Sequence, residues 1–172
     1  MDNQSVFNKQ QIQTIENVVV LAEELVADAY KLSHSQWRNH RYDIKTLSQL
    51  TQYERVAVPF AHLVRYRGKK KESDLSTSSF DYYHICLQDP NILAAYIASD
   101  QLIFFPFMLY IITHELIHIV RFSQFLQNFN VSPMEKLKEE KRVHQKTKEV
   151  LKHVKIPYIE PVLNYKGWEI NP

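Results

Sequence analysis

A single cysteine, Cys86, excludes an intrachain disulfide. The thiol sits in the apolar stretch YYHICLQD, which predicts a buried, inert group rather than a nucleophile. The lack of disulfides fits a reducing compartment, and a cytoplasmic protein is expected. Glycine is almost as scarce: only Gly68 and Gly167 occur, with no internal repeat or low-complexity segment, so a repeat architecture is excluded. Neither charge sign dominates, because 21 Lys and Arg face 19 Asp and Glu for a net charge of +2. That balance, with a pI near 8.5, lacks the footprint of a nucleic-acid-binding surface. The one basic cluster, RYRGKKK at residues 65–71, runs straight into ESD and reads as a solvated loop. The first ten residues, MDNQSVFNKQ, lack the basic-then-apolar layout of a secretory signal.

What is present is ordinary for a soluble globular protein: 45% hydrophobic and 23% charged residues. A length of 172 residues suits one domain with a real core. The longest apolar stretch, ILAAYIASDQLIFFPFMLYIIT at 92–113, is interrupted by Asp100 and Pro106. It reads as two shorter buried elements rather than a membrane span.

Helical spacing of Ile12, Ile15, Val19, Ala22, Leu25, Val26 and Ala29 predicts an amphipathic helix over about residues 8–32. SHSQWRNHRYD breaks that pattern, and IKTLSQLTQYERVA reads as one or two short helical turns. FAHLVRYR and DYYHICLQ are rich in strand formers and are joined by a polar loop from Gly68 to Ser79. NILAAYIA, set off by Asp89-Pro90, is expected to be a third strand. From about Phe105 to Gln127 the sequence is apolar on nearly every side, the pattern of a central buried helix. Ser132-Pro133-Met134-Glu135 then supplies an N-cap serine, a proline at the first helical position and a glutamate at the third. That helix should run to about Val154. The tail from residue 155 to 172, with three prolines and several aromatics, is expected to lie as an extended strap over the body.

The buried helix carries ITHELIHIV at 111–119. Ionisable groups rarely sit among Ile, Leu and Val without a compensating partner. On a helix, residues four apart differ by about 40° and about 6 Å along the axis, so His114 and His118 can turn their rings toward one metal ion. Glu115 flanks that face, where it can hold a water without being a ligand. This is the H-E-x-x-H arrangement of zinc hydrolases. With 8 histidines in the chain, chance supplies only about 0.03 such matches, so composition alone does not explain it. The bland alternative is a pair of core histidines bonded to backbone carbonyls, with Glu115 paired to Arg121.

A third ligand has to come from elsewhere. At about 100° per residue, Leu137, Val143, Thr147, Val150, Leu151 and Val154 gather on one face of the following helix. Glu140 falls near the middle of that face and His144 one turn later, whereas Glu139, Arg142, Lys146 and Glu149 point elsewhere. A carboxylate centred on an apolar face needs a positive partner, which makes Glu140 the expected third ligand.

HELIH on a buried helix followed by a glutamate on a downstream helix resembles the gluzincin group of zincin-like metallopeptidases. The resemblance covers about residues 105–151, and EEKRVHQKTKEVL after HELIHIV also resembles the small ImmA/IrrE-type metallopeptidases. Together with the helix and strands read from the spacing above, it implies a minimal α+β zincin-like domain: an N-terminal helix, a small three-stranded sheet, the HExxH helix and a ligand-bearing helix. The metal-site core is placed at about 105–154. It further implies one Zn2+ per chain held by His114, His118 and Glu140, with Glu115 as general base. In that group the residue one turn after the glutamate supports the first histidine. His144 stands where many relatives carry aspartate, so second-shell support, transition-state stabilisation and replacement of the third ligand all stay open.

The function expected is therefore zinc-dependent hydrolysis of a peptide or protein, with an edge strand at residues 92–98 pairing with the extended substrate. Two alternatives keep the metal. One is a non-catalytic, zincin-like binding or regulatory protein. The other is a helical di-metal carboxylate protein, in which Glu23 or Glu24 would add a ligand. No nucleic-acid or membrane partner is expected.

Overall fold

The computed structural model describes residues 5–69 and 79–169. In chain order it contains α1 (Lys9–Ala29), α2 (His34–Arg38), β1 (Tyr42–Lys45), 3-10 turns at Leu47–Gln49 and Gln52–Glu54, β2 (Ala61–Lys69) and β3 (Ser79–Leu87). These are followed by α3 (Asp89–Ala98), α4 (Phe104–Ser123), α5 (Pro133–Lys152), α6 (Ile159–Leu163) and a 3-10 turn at Lys166–Glu169. The class is α+β, as expected. Residues 70–78 of the expected polar loop lie outside the described residues.

The hub is α4. Every residue from Pro106 to Val120 is buried, which requires neighbours on all sides, and α1, α5, α6 and β2 supply them. This helix is long and apolar enough to cross a membrane, yet the protein itself encloses most of it. Pro106 lies in its first turn, where the missing N–H breaks no helical hydrogen bond. Against α4 lies α1, opened by a capping box between Asn8 and Gln11. Its buried line is Ile15, Val18, Ala22 and Val26; Ile12, expected inside, is exposed. As predicted, α5 opens on Ser132, whose hydroxyl accepts from the Glu135 amide at 3.3 Å, with Pro133 at the first helical position.

In the sheet β3 is central, antiparallel to β2 and parallel to β1. Side chains alternate across it. Tyr83, Ile85 and Leu87 enter the main core with α4, while Cys86 joins Leu47, Leu50 and Val64 in a small second core on the other face. The Gln88 amide donates to the Phe60 carbonyl at 2.8 Å, which extends the β2–β3 ladder and fixes its phase. His62, Val64 and Tyr66 therefore direct their backbone groups at β3, and Ala61, Leu63 and Arg65 direct theirs to the open edge.

Two expectations fail. Residues 91–98 belong to α3, not to a strand, and the third strand is β1. Pro90 falls in the first turn of α3, where a proline starts a helix as readily as it bounds a strand. Buried Asp89, Ile92 and Leu93 then follow helical spacing. The tail is not an extended strap either. It folds into α6 and the closing turn, and Trp168 stacks on Tyr110 of α4 with ring centroids 4.0 Å apart.

Asp89 ties the N-terminal arm and the turn after β1 to the head of α3. Its buried carboxylate accepts from the Phe7 amide at 3.1 Å and the Leu47 amide at 2.9 Å. Asp89→Ala strands both donors and should cost about 2–3 kcal/mol. Urea unfolding should show this as a lower midpoint at an unchanged slope.

Candidate metal centre

Helical periodicity places His114 and His118 one above the other on α4, facing a cleft of about 790 Å³. One wall of that cleft is β2, another is α5, and residues 126–131 close one end. His114 Nε2 lies 3.1 Å from His118 Nε2 and 3.1 Å from Glu140 Oε2, and His118 Nε2 lies 3.1 Å from Glu140 Oε1. The three side chains predicted from sequence are thus brought to one point.

Protons alone satisfy this triangle poorly. If both Nε2 atoms carry hydrogens for Glu140, two N–H groups confront each other at 3.1 Å. If one of them is bare, its lone pair faces the carboxylate. A cation in the centre turns all three contacts favourable. Ligand atoms about 2.0–2.1 Å from a tetrahedral zinc lie about 3.3 Å from one another, close to the spacing seen. The donor set of two imidazoles and a carboxylate therefore fits such an ion.

The surroundings constrain these side chains. His118 Nδ1 is 3.0 Å from Gln127 Oε1; donation to that amide oxygen leaves Nε2 as the lone-pair atom. Burial works against the charge of Glu140, but the two imidazoles hold it well below the usual carboxylate range. Glu115 is buried beside the pair, and that burial pushes its carboxyl up, partly offset by His114 and His118. His144 is not part of the converging group. Its Nδ1 lies 2.8 Å from the Tyr110 hydroxyl. Burial, and then repulsion from His114, lower its pKa to about 3, so the ring is neutral. Among the described residues His114 Nδ1 and His144 Nε2 are both buried without a partner, and the two rings lie 4.2 Å apart.

Some details differ from expectation. Glu139, predicted to point away from the apolar face, is only 8% exposed, and Leu137, predicted inside, is exposed. The reason is Arg121, which projects from the end of α4 and binds Glu139, with Arg142 adding a contact at 3.4 Å. The bland pairing of Arg121 with Glu115 is thereby displaced. Gln127 was not visible in the sequence. It reaches His118 because α4 ends in a Schellman-type turn, with Leu126 N bonded to Arg121 O and Phe125 N to Phe122 O. Phe125 holds the left-handed position, φ 58°, that glycine normally marks. Without a glycine the turn carried no signal. Glu23 of the di-metal alternative accepts a hydrogen bond from Tyr42 and does not line the cleft.

Comparison with protein-family models, curated protein sequences and solved structures gives no match.

Neighbouring glutamates should separate metal binding from stability. Glu140→Gln, like His114→Ala or His118→Ala, should lower the zinc content by one equivalent per chain, because two ligands hold the ion poorly. Glu139→Gln should keep that zinc but destabilise the fold by about 1–3 kcal/mol through the weakened Arg121 pair. Elemental analysis and urea unfolding of each variant read the two effects. Zinc lost from Glu139→Gln and kept by Glu140→Gln would reverse the assignment.

Proposed function

We propose that this protein is a zinc-dependent hydrolase, and specifically a peptidase of the zincin type. The observation that carries the reading is the 3.1 Å triangle of His114, His118 and Glu140, which a cation satisfies more fully than protons do. A bound zinc ion would polarise the scissile carbonyl and acidify the attacking water. Glu115 takes the proton of that water as its oxygen attacks the carbonyl carbon. It then delivers the proton to the amine as the carbon–nitrogen bond breaks. Burial raises the basicity of Glu115, which suits both steps. His144, held by the Tyr110 hydroxyl, packs its ring 4.2 Å from that of His114 and so limits the freedom of the His114 ring.

Substrate orientation follows from the sheet. With residues 92–98 helical, the edge available for pairing is β2, whose outward backbone groups at Ala61, Leu63 and Arg65 border the same cleft. Among the described residues no backbone hydrogen bond from another segment occupies them. An extended peptide can join there as a further strand, which carries its scissile bond across α4.

Two variants test the chemistry and the substrate separately. Glu115→Gln keeps the size of the side chain and should retain zinc, while peptide-library cleavage falls by about 100-fold or more. Leu63→Pro removes an amide that points away from β3, so the ladder survives. It should retain zinc and lose cleavage of extended peptides. Equal cleavage by Glu115→Gln and the parent removes Glu115 from the mechanism. A zinc-loaded parent that cleaves nothing in a broad library favours the non-catalytic metal-binding protein instead.

A further inference from the structure

A second constellation lies on the opposite face of the sheet. His84 and Cys86, two apart on β3, point to the same side, and Glu54 approaches them from the second 3-10 turn. Glu54 is 1% exposed and Cys86 is fully buried. Thr51 contributes its amide and its hydroxyl to Glu54 Oε1, each at 3.1 Å. Three more groups converge on Oε2: His84 Nδ1, the Tyr66 hydroxyl at 3.3 Å and Cys86 Sγ at 3.5 Å.

Five donors are one more than a carboxylate accommodates, since its two oxygens offer about four lone-pair sites. Among the described residues the thiol has one other acceptor within reach, the His84 carbonyl at 3.7 Å. Without a cation the arrangement gains little from the thiol. Burial and the charge of Glu54 push it up to about 12, so it stays protonated. Yet Glu54 Oε2, His84 Nδ1 and Cys86 Sγ are each a metal ligand once freed of protons, and all three lie within 4.8 Å of one another.

We propose that Glu54, His84 and Cys86 form a second divalent-cation site, suited to zinc, independent of the HExxH centre. On binding, Cys86 loses its thiol proton to solvent and coordinates as thiolate. His84 offers the Nδ1 lone pair and keeps its proton on Nε2. Glu54 supplies Oε2, with the Tyr66 hydroxyl or a water as the fourth ligand. One carboxylate and one thiolate cancel the two charges of the ion, so the buried site is neutral. The thiolate and imidazole favour zinc over magnesium or calcium, which prefer oxygen donors. His84, whose side chain is part-exposed, gives the ion its entrance.

The test uses the full chain without an affinity tag, stripped by chelator and reloaded with Zn2+ or Co2+. The parent should bind two equivalents, and the cobalt form should show thiolate-to-cobalt charge-transfer absorption in the near ultraviolet. The His114→Ala/His118→Ala double variant should keep one equivalent and the full charge-transfer band. Cys86→Ser should lose the band and one equivalent while keeping the other. His84→Ala, altered on the exposed side, reads the same loss if Cys86→Ser fails to fold. A cobalt-loaded parent without the band overturns the proposal, as does a folded Cys86→Ser or His84→Ala variant that keeps all the metal of the parent. Failure of the HExxH centre would be seen separately, as a double variant indistinguishable from the parent.

Discussion

The enclosure of α4 on every side governs the structure. A helix buried from Pro106 to Val120 gains stability from each apolar contact, at about 25 cal/mol per Å2 of apolar surface removed from water. The same enclosure makes each of its ionisable groups a liability. Three of them, His114, Glu115 and His118, fall inside the buried stretch. Water cannot solvate them fully there, so the surrounding chain has to answer each one. Glu140 and Gln127 answer the histidines. Glu115 is left beside the cleft, where burial pushes its carboxyl up.

Placement of α5 follows from this demand. Its consecutive glutamates, Glu139 and Glu140, point about 100° apart and meet different charges on α4. Glu139 binds Arg121 at the outer end, while Glu140 meets the histidine pair farther in. One helix is thereby fixed to the other at two angular positions, which sets its rotation as well as its distance. Val143, Thr147 and Leu151 then complete the contact with apolar surface and a hydroxyl that bonds back to the Val143 carbonyl at 2.7 Å. The C-terminal segment braces the arrangement from behind, because Trp168 stacks on Tyr110 and Tyr110 meets His144.

Legibility tracked how local each signal was. The motif, the α4 burial, the cap of α5 and the inward direction of Glu140 all depend on residues within one helix, where period and spacing are readable. Glu139 was misjudged because its partner, Arg121, belongs to another helix, and facing charge overrides apolar periodicity. Residues 91–98 were misjudged because a short apolar run fits a buried strand or a helix equally well. Here Asp89-Pro90 began an element and did not close one. β1 could not be seen at all. Tyr42–Lys45 is four residues long and lies parallel to β3, so its pairing is set by distant chain and not by a hairpin. Gln127 and the Glu54 cluster were invisible for the same reason, since each depends on tertiary approach.

The sheet finally relates the two constellations to each other. Strand period 2 sends Tyr83, Ile85 and Leu87 toward α4 and His84 and Cys86 away from it. The β3 backbone therefore stands as a thin partition between them. Charge still crosses it: Glu115 adds to the burial and the Glu54 field that raise the Cys86 thiol. Negative charge held at the HExxH face thus disfavours a second negative charge at Cys86. A cation between His114, His118 and Glu140 would offset part of that field and ease ionisation of the thiol. Burial and the adjacent Glu54 outweigh that influence at the thiol, so the partition leaves each constellation to its own side chains.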